Sequence, residues 1–181
     1  MTYYGGKEMA ASFRTVRSHT IQTAEDIPEE QYGFKAAPDT RSIGQLLTHI
    51  ALGPRYQHYI HSQGIDDLKK VDFTQLARQL GAEESRPRTK SEIVAYLKSE
   101  GDNFAAFLDG LAEPLLAEPV AMPPGAEPAT KSRMEMLLSP KEHEMHHRGQ
   151  LMLMQRMLGI VPHLTRQRQE QIAARAQAAD R

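Results

Sequence analysis

Apolar residues recur at intervals of three and four along most of this chain, and that spacing predicts α-helices almost throughout. No run of alternating apolar and polar residues indicates a β-strand. We expect main helices over about 7–24, 42–64 and 89–111, a shorter helix over 71–80, and a last main helix that ends near residue 159. The pattern therefore predicts an all-α fold, a four-helix bundle.

Helix starts and breaks are indicated by particular residues. Ser42 with Gln45, and Thr89 with Glu92, form capping boxes that predict helix N-termini. Gly53–Pro54 predicts a kink or an interruption in the second main helix. The segment 114–128 holds five prolines, which predicts a long crossover loop before the last helix.

The start of the last helix is open to two interpretations. Ser139 and Glu142 form a third capping box with Pro140 at the first helical position, where its missing N–H costs nothing. Alternatively, the helix begins near Lys131 and is kinked at Pro140. Residues 1–164 are predicted to form the bundle, and 165–181 to form a polar tail or a surface helix.

Composition limits the classes of function. The formal net charge is −1, so no strong field attracts nucleic acid or a membrane surface, and neither is expected as a partner. The chain has no cysteine, so any metal must be held by His, Asp or Glu. No apolar run approaches the roughly 20 residues that span a bilayer, and the first residues do not form a signal peptide. A cytoplasmic protein is therefore expected.

The segment 143–150 carries the strongest functional signal. His143 and His147 are spaced i and i+4, which places both imidazoles on one face of a helix. The same face continues through Leu151 and Met154, so the pair lies at the head of an apolar, core-facing stripe. A buried imidazole needs a hydrogen bond or a metal, and both interpretations remain open for this pair.

A third ligand would favour the metal. His49 lies at the edge of an apolar face of the second helix and, in a bundle, points toward the last helix. Three imidazoles leave a coordination position open for water or substrate, as catalytic metal sites do. His146, His58 and His61 are expected near the surface, His19 to face inward, and His163 to lie in a turn.

The segment from His143 to His147 also matches His-Glu-x-x-His, the zinc-metalloprotease pattern with Glu144 as general base. Proteases of that kind place the helix beside a sheet, and this chain predicts none. Glu144 remains a candidate catalytic residue, as a proton shuttle or as a partner of an imidazole N–H, and solvent exposure is the alternative.

The residues Thr40–Ile50 and Glu142–Leu151, together with Leu158–Pro162, resemble the DinB/YfiT-like family of helical metalloproteins. The resemblance covers about residues 8–162. It implies a four-helix bundle with a long crossover, often dimeric, with zinc or nickel held by three histidines that match His49, His143 and His147. Characterised relatives include thiol-dependent transferases and isomerases, so a low-molecular-weight thiol is a possible cofactor.

Two functional hypotheses follow. The first is a metal-dependent enzyme, transferase-like or hydrolase-like, that acts on a small-molecule substrate in a pocket near the crossover loop. The second is a non-enzymatic protein whose metal only stabilises the bundle. Near the motif, Arg148 is expected to pair with a carboxylate, Gly149 to allow a close helix contact, and Gln150 to orient a ligand or bind a backbone carbonyl.

Overall fold

The computed structural model describes residues 4–179 and contains seven α-helices there. They are α1 (Gly6–Asp26), α2 (Ile43–Ser62), α3 (Phe73–Glu84), α4 (Lys90–Asp109), α5 (Glu113–Ala117), α6 (Arg133–Met157) and α7 (His163–Ala179). Two short strands, β1 (Pro119–Ala121) and β2 (Thr130–Ser132), form an antiparallel pair in which Val120 faces Lys131.

The four long helices α1, α2, α4 and α6 form the bundle. Both α1 and α2 pack against α4 and against α6, so α1 and α2 lie on one diagonal of the bundle and α4 and α6 on the other. The connections 27–42 and 110–132 each join helices at opposite corners. The predicted all-α four-helix bundle with a long crossover is therefore confirmed.

The α4–α6 crossover is more ordered than the predicted loop. It contains α5 and the β1–β2 hairpin, and Val120 of β1 is fully buried against Ile60 and Met136. Three residues per strand are too few to show alternation, which is why the prediction of no strand was wrong here. None of the helices in residues 4–179 combines the length and the apolar character needed to cross a membrane.

Helix α2 runs unbroken through Gly53 and Pro54, so the predicted interruption is wrong. A proline at position 54 cannot donate to the carbonyl of Ile50, four residues earlier. Arg17 of α1 donates to that carbonyl instead, with Nη2 at 3.3 Å from the oxygen. The buried guanidinium thus replaces the missing helical hydrogen bond and allows α2 to continue.

Helix α6 begins at Arg133, with Ser132 as N-cap accepting from the N–H of Glu135. The interpretation in which the helix begins near residue 131 is confirmed, and the start at Ser139 is wrong. Pro140 lies inside the helix and is buried. With this early start, α6 has 25 residues. Its His143 lies beside His49 of α2.

The main apolar layer holds α2 against α6 at the level of the histidines. Leu47 and Ile50 of α2 and Leu151 of α6 are each no more than 1% exposed. Because these residues face the core, His49 is carried at the edge of α2 toward α6. The packing of this layer therefore determines which side chains meet at the candidate site.

Helix α7 lies mostly outside the bundle. Its first turn is attached to α1, where His163 Nε2 lies 3.1 Å from His19 Nδ1 and Arg166 forms an ion pair with Asp26. Residues 167–178 are exposed throughout. His163 is therefore buried at a helix start and does not lie in a turn.

Candidate metal centre

Three imidazoles from α2 and α6 converge on one point. The Nε2 atom of His143 lies 3.1 Å from Nε2 of His49 and 3.0 Å from Nε2 of His147. One nitrogen from each ring lies within 4.8 Å of the others. The sequence predicted these three histidines as one cluster, and the structure brings them together.

The outer two rings are held with their Nε2 lone pairs turned inward. His49 Nδ1 donates to Glu84 Oε2 at 2.8 Å, and His147 Nδ1 donates to Gln150 Oε1 at 2.8 Å. A neutral imidazole that donates from Nδ1 has an unprotonated Nε2. Each outer ring therefore presents an acceptor to the point where His143 also directs its Nε2.

This donor set fits a divalent cation. A single hydrogen on His143 Nε2 can satisfy one of the two inward lone pairs and leaves the other without a donor. Two imidazole nitrogens bound to zinc at about 2.0–2.1 Å lie about 3.3 Å apart in tetrahedral geometry, close to the observed separations. A cation satisfies all three nitrogens at once, whereas hydrogen bonding cannot.

Metal ligation requires a neutral imidazole, and a lowered pKa favours that form in the two clustered histidines of α6. Burial, together with His147 and His49, lowers the pKa of His143 to about 4. Burial also lowers the pKa of His147. The centre is thus prepared for a cation at neutral pH.

Gly53 gives the His143 ring its space. A Cβ built at Gly53 would lie 3.1 Å from His143 Nδ1, which is tighter than ordinary contact. The Gly53–Pro54 pair, predicted as a break in α2, therefore has a different function there. The glycine makes room for a ligand ring, and Arg17 compensates for the proline.

Glu84 is the residue that sequence reasoning missed. The shorter helix was predicted to end at residue 80, but α3 continues to Glu84 and brings its carboxylate between His49 and Arg41. Burial raises the pKa of Glu84, but hydrogen bonds from Arg41 and His49 outweigh it, and the net pKa is lowered. No spacing in the sequence links residue 84 to the histidines, so tertiary contact alone reveals it.

Glu144, the candidate catalytic residue, lies apart from the three imidazoles. Both of its carboxylate oxygens accept from Arg17 Nε at 3.0 Å, inside the bundle, and it makes no hydrogen bond to the three imidazoles. The side chain is 1% exposed. Glu144 is neither solvated nor an imidazole partner; it belongs to a buried ion pair.

The other residues near the motif differ from their predictions in part. Arg148 donates to the carbonyl of Val16 and not to a carboxylate. Gly149 has no close helix contact, since a Cβ there would meet nothing within 4 Å. Gln150 orients His147, the first of its two predicted roles, and its amide nitrogen lies 3.2 Å from His146 Nε2.

A pocket of about 670 Å³ opens beside the centre. Its wall includes His147, Gln150 and Glu84, with the apolar side chains of Leu46 and Met154. The loop over residues 35–41 also lines it, so the pocket lies between α2, α3 and α6 and not beside the α4–α6 crossover. A volume of this size suits a small molecule.

A larger cavity of about 780 Å³ lies between α2, α3 and α4. None of the three clustered histidines lines it. His58 does, and it lies against Phe107 with a ring separation of 4.5 Å. The candidate metal centre is therefore distinguished by its converging imidazole nitrogens and not by the size of the cavity beside it.

Comparison with solved structures shows the same fold in several proteins. YfiT from Bacillus subtilis, described as a probable metal-dependent hydrolase with an unusual four-helix bundle topology, is 15% identical with a TM-score of 0.66, and the match covers 88% of this chain and 91% of YfiT. A mycothiol-dependent maleylpyruvate isomerase is 12% identical with a TM-score of 0.59, over 81% of this chain and 62% of that one.

The colibactin self-resistance protein ClbS, solved in complex with a dsDNA, is 15% identical with a TM-score of 0.56, over 83% of this chain and 97% of ClbS. The prediction that nucleic acid is not a partner is therefore not supported by the comparisons. None of the curated proteins compared with this chain matches it. The DinB family model matches residues 1–178, nearly the whole sequence. The chain belongs to the DinB family.

Proposed function

We propose that this protein is a metal-dependent enzyme that holds one divalent cation, zinc or nickel, on His49, His143 and His147. The convergence of three Nε2 atoms, two of them fixed as acceptors by Glu84 and Gln150, is the observation that carries the proposal. Imidazole suits both metals, and the described residues offer no cysteine or carboxylate as a fourth ligand in the cluster.

Bound there, the metal would serve as a Lewis acid or lower the pKa of a water or thiol that reaches it. The chain's own residues prepare the site. Glu84 and Gln150 fix the ring orientations, while Leu46 and Met154 provide an apolar wall that limits water beside the cluster. A small-molecule substrate is proposed for the adjoining pocket.

Metal analysis tests this proposal directly. Protein prepared without a histidine tag should carry about one equivalent of zinc or nickel after purification, and His147→Ala should lose it. His58→Ala is the matched control, since His58 lies outside the cluster. Equal metal content in His147→Ala and the parent protein would reject the site.

The non-enzymatic alternative differs in access to the metal. A purely stabilising site is closed by protein ligands, whereas a pocket adjoins His147 here. The cobalt(II)-substituted protein should change its visible spectrum when azide is added, because an open position can exchange ligands. A spectrum that azide leaves unchanged would favour the stabilising role.

A low-molecular-weight thiol is the cofactor that we propose to test first. The mycothiol-dependent isomerase with a similar fold supports this choice. Titration of the cobalt(II) protein with thiols should produce a thiolate charge-transfer band in the near ultraviolet if sulfur reaches the metal. Thiols that produce no band would limit the proposal to hydrolase-like chemistry.

A metalloprotease is disfavoured by two observations. The carboxylate of Glu144, the general base in that pattern, is held by Arg17 inside the bundle. The strands among residues 4–179 are three residues each, too short to form the sheet that presents a peptide.

We further propose a homodimer formed through the outer face of α6. Met145, Leu153 and Met157 lie on this face and are each at least 46% exposed. The same face of α6 in a second copy of the chain would cover these three side chains. Sedimentation velocity should show a dimer for the parent protein and a monomer for Met157→Glu; a monomeric parent would reject the proposal.

A further inference from the structure

The acceptor that fixes His49 comes from a helix at the periphery of the bundle. None of the twelve residues of α3 is buried, and the helix packs mainly against α2. By contrast, the acceptor that fixes His147 is Gln150, three residues further along the same helix. The orientation of His147 is therefore set within α6, whereas that of His49 depends on where α3 lies.

The last turn of α3 forms part of two cavities. Glu83 lines the cavity of about 780 Å³ between α2, α3 and α4, and Glu84 lines the pocket of about 670 Å³ beside the histidines. Any displacement of this turn changes both spaces. It also moves the carboxylate that joins Arg41 to His49.

Side-chain contacts hold α3 at both ends. At its start, Asp72 caps the helix and Leu76 packs against Ile60 and its neighbours in a satellite apolar cluster. At its end, the Glu83 carboxylate pairs with Arg88 at 2.8 Å. Leu76 and Glu84 are eight residues apart on one helix, about 12 Å along its axis. Loosening the helix at Leu76 is therefore expected to displace Glu84.

We infer that Glu84 is a positioning residue for His49, and that the position of α3 against α2 controls whether His49 presents its Nε2 lone pair to the centre. With the carboxylate in place, the imidazole hydrogen stays on Nδ1. Without it, Nδ1–H has no acceptor, the ring is free to rotate, and the hydrogen can transfer to Nε2, where it blocks coordination. This inference rests on the proposed metal function.

The first test compares Glu84→Ala with Arg78→Ala, an exposed change on the same helix that keeps both Glu84 and the Glu83–Arg88 pair. In metal-free protein at neutral pH, 15N NMR should show His49 as the Nδ1–H tautomer in the parent and in Arg78→Ala, and as a mixture in Glu84→Ala. Zinc affinity, measured by competition with a chromophoric chelator, should fall about 10–100-fold in Glu84→Ala. Glu84→Gln retains an acceptor oxygen and should recover part of the loss.

An unchanged His49 tautomer in Glu84→Ala would overturn the inference, and so would equal losses of zinc affinity in Glu84→Ala and Arg78→Ala. The NMR readout requires no metal. If the parent protein binds neither zinc nor nickel, the proposed function fails, while the tautomer still decides whether Glu84 positions His49.

A double-mutant cycle tests the role of α3. Leu76→Ala should weaken zinc binding in the parent, because the helix loosens, and Thr74→Ala, an exposed change on the same helix, should not. In the Glu84→Ala background, Leu76→Ala should have no further effect. If Leu76→Ala weakens zinc binding equally in both backgrounds, or has no effect in the parent, the position of α3 does not act through Glu84.

Discussion

Arg17 and Glu144 form a buried ion pair that joins α1 to α6, with side chains 4% and 1% exposed. The same guanidinium donates to the carbonyl of Leu97 in α4 at 2.7 Å and to that of Ile50 in α2. One side chain thus connects all four helices of the bundle. Gly101 leaves room for it, since a Cβ there would lie 2.8 Å from Arg17 Cγ.

Replacement of Glu144 should destabilise the fold and spare the metal. Glu144→Ala leaves the Arg17 charge buried without a partner, so the free energy of unfolding should fall by about 3–5 kcal/mol. Urea unfolding measures this change. The folded fraction should still bind metal at the parent stoichiometry. Glu142→Ala, an exposed change two residues earlier, is the control and should alter neither property. A Glu144→Ala protein that keeps the parental free energy of unfolding would contradict this role of the ion pair.

Gly53→Ala should weaken metal binding without a comparable loss of stability in the metal-free protein. Alanine favours a helix over glycine by roughly 0.5–1 kcal/mol, so the metal-free protein should not lose stability beyond the cost of a small ring shift. The new methyl group crowds the His143 ring at 3.1 Å from Nδ1, so metal affinity should fall. Calorimetric melting and metal titration measure the two effects.

Gly149→Ala is the matched control for that substitution, because a Cβ at position 149 meets nothing within 4 Å. It should raise stability and leave metal affinity at the parent value. If both glycine variants weaken metal binding equally, crowding of His143 is not the cause.

His61 should make stability depend on pH. It was expected at the surface, but it is 4% exposed, where Gln57 Oε1 accepts from its Nε2 and Arg133 Nη1 lies 3.1 Å from its Nδ1. Burial, aided by the Arg133 charge, lowers its pKa from 6.5 to about 4. The unfolded chain therefore binds the proton more readily, and the stabilisation present above pH 6.5 is lost as pH falls toward 4.

At pH 5 this loss amounts to roughly 2 kcal/mol relative to pH 7.5. His61→Asn keeps an acceptor for Arg133 but does not titrate. Its free energy of unfolding should be lower than that of the parent at pH 7.5 and should fall less between pH 7.5 and 5. Parallel pH dependences for the two proteins would contradict the assignment to His61.

The boundary of the bundle should lie just inside α7. Deletion of residues 167–181 removes the exposed residues 167–178 of α7 and should leave the melting temperature within a few degrees of the parent. Deletion from residue 163 also removes the contacts of His163 with His19 and of Arg166 with Asp26, and should lower it further. Equal melting temperatures for the two truncations would place the boundary before residue 163.

The predicted four-helix bundle is confirmed, and helix starts were predicted correctly where the local signal was strong. The capping boxes at Ser42 and Thr89 correctly located two helix starts. The capping pattern at Ser139 was misleading, because Ser132 caps the helix seven residues earlier and the pattern lies inside it. A serine precedes a glutamate by three residues at both positions, Ser132 with Glu135 and Ser139 with Glu142. Which serine starts the helix depends on what the preceding segment packs against.

The sequence by itself determined the helical architecture and the three histidines, because periodicity and i, i+4 spacing are properties of a single helix. Only the tertiary structure decided their partners. Glu84 reaches His49 from a helix 35 residues further along the chain, Gly53 makes room for His143, and Glu144 turns away to Arg17. Contacts between distant segments leave no periodic pattern in the chain, so packing alone assigns these roles.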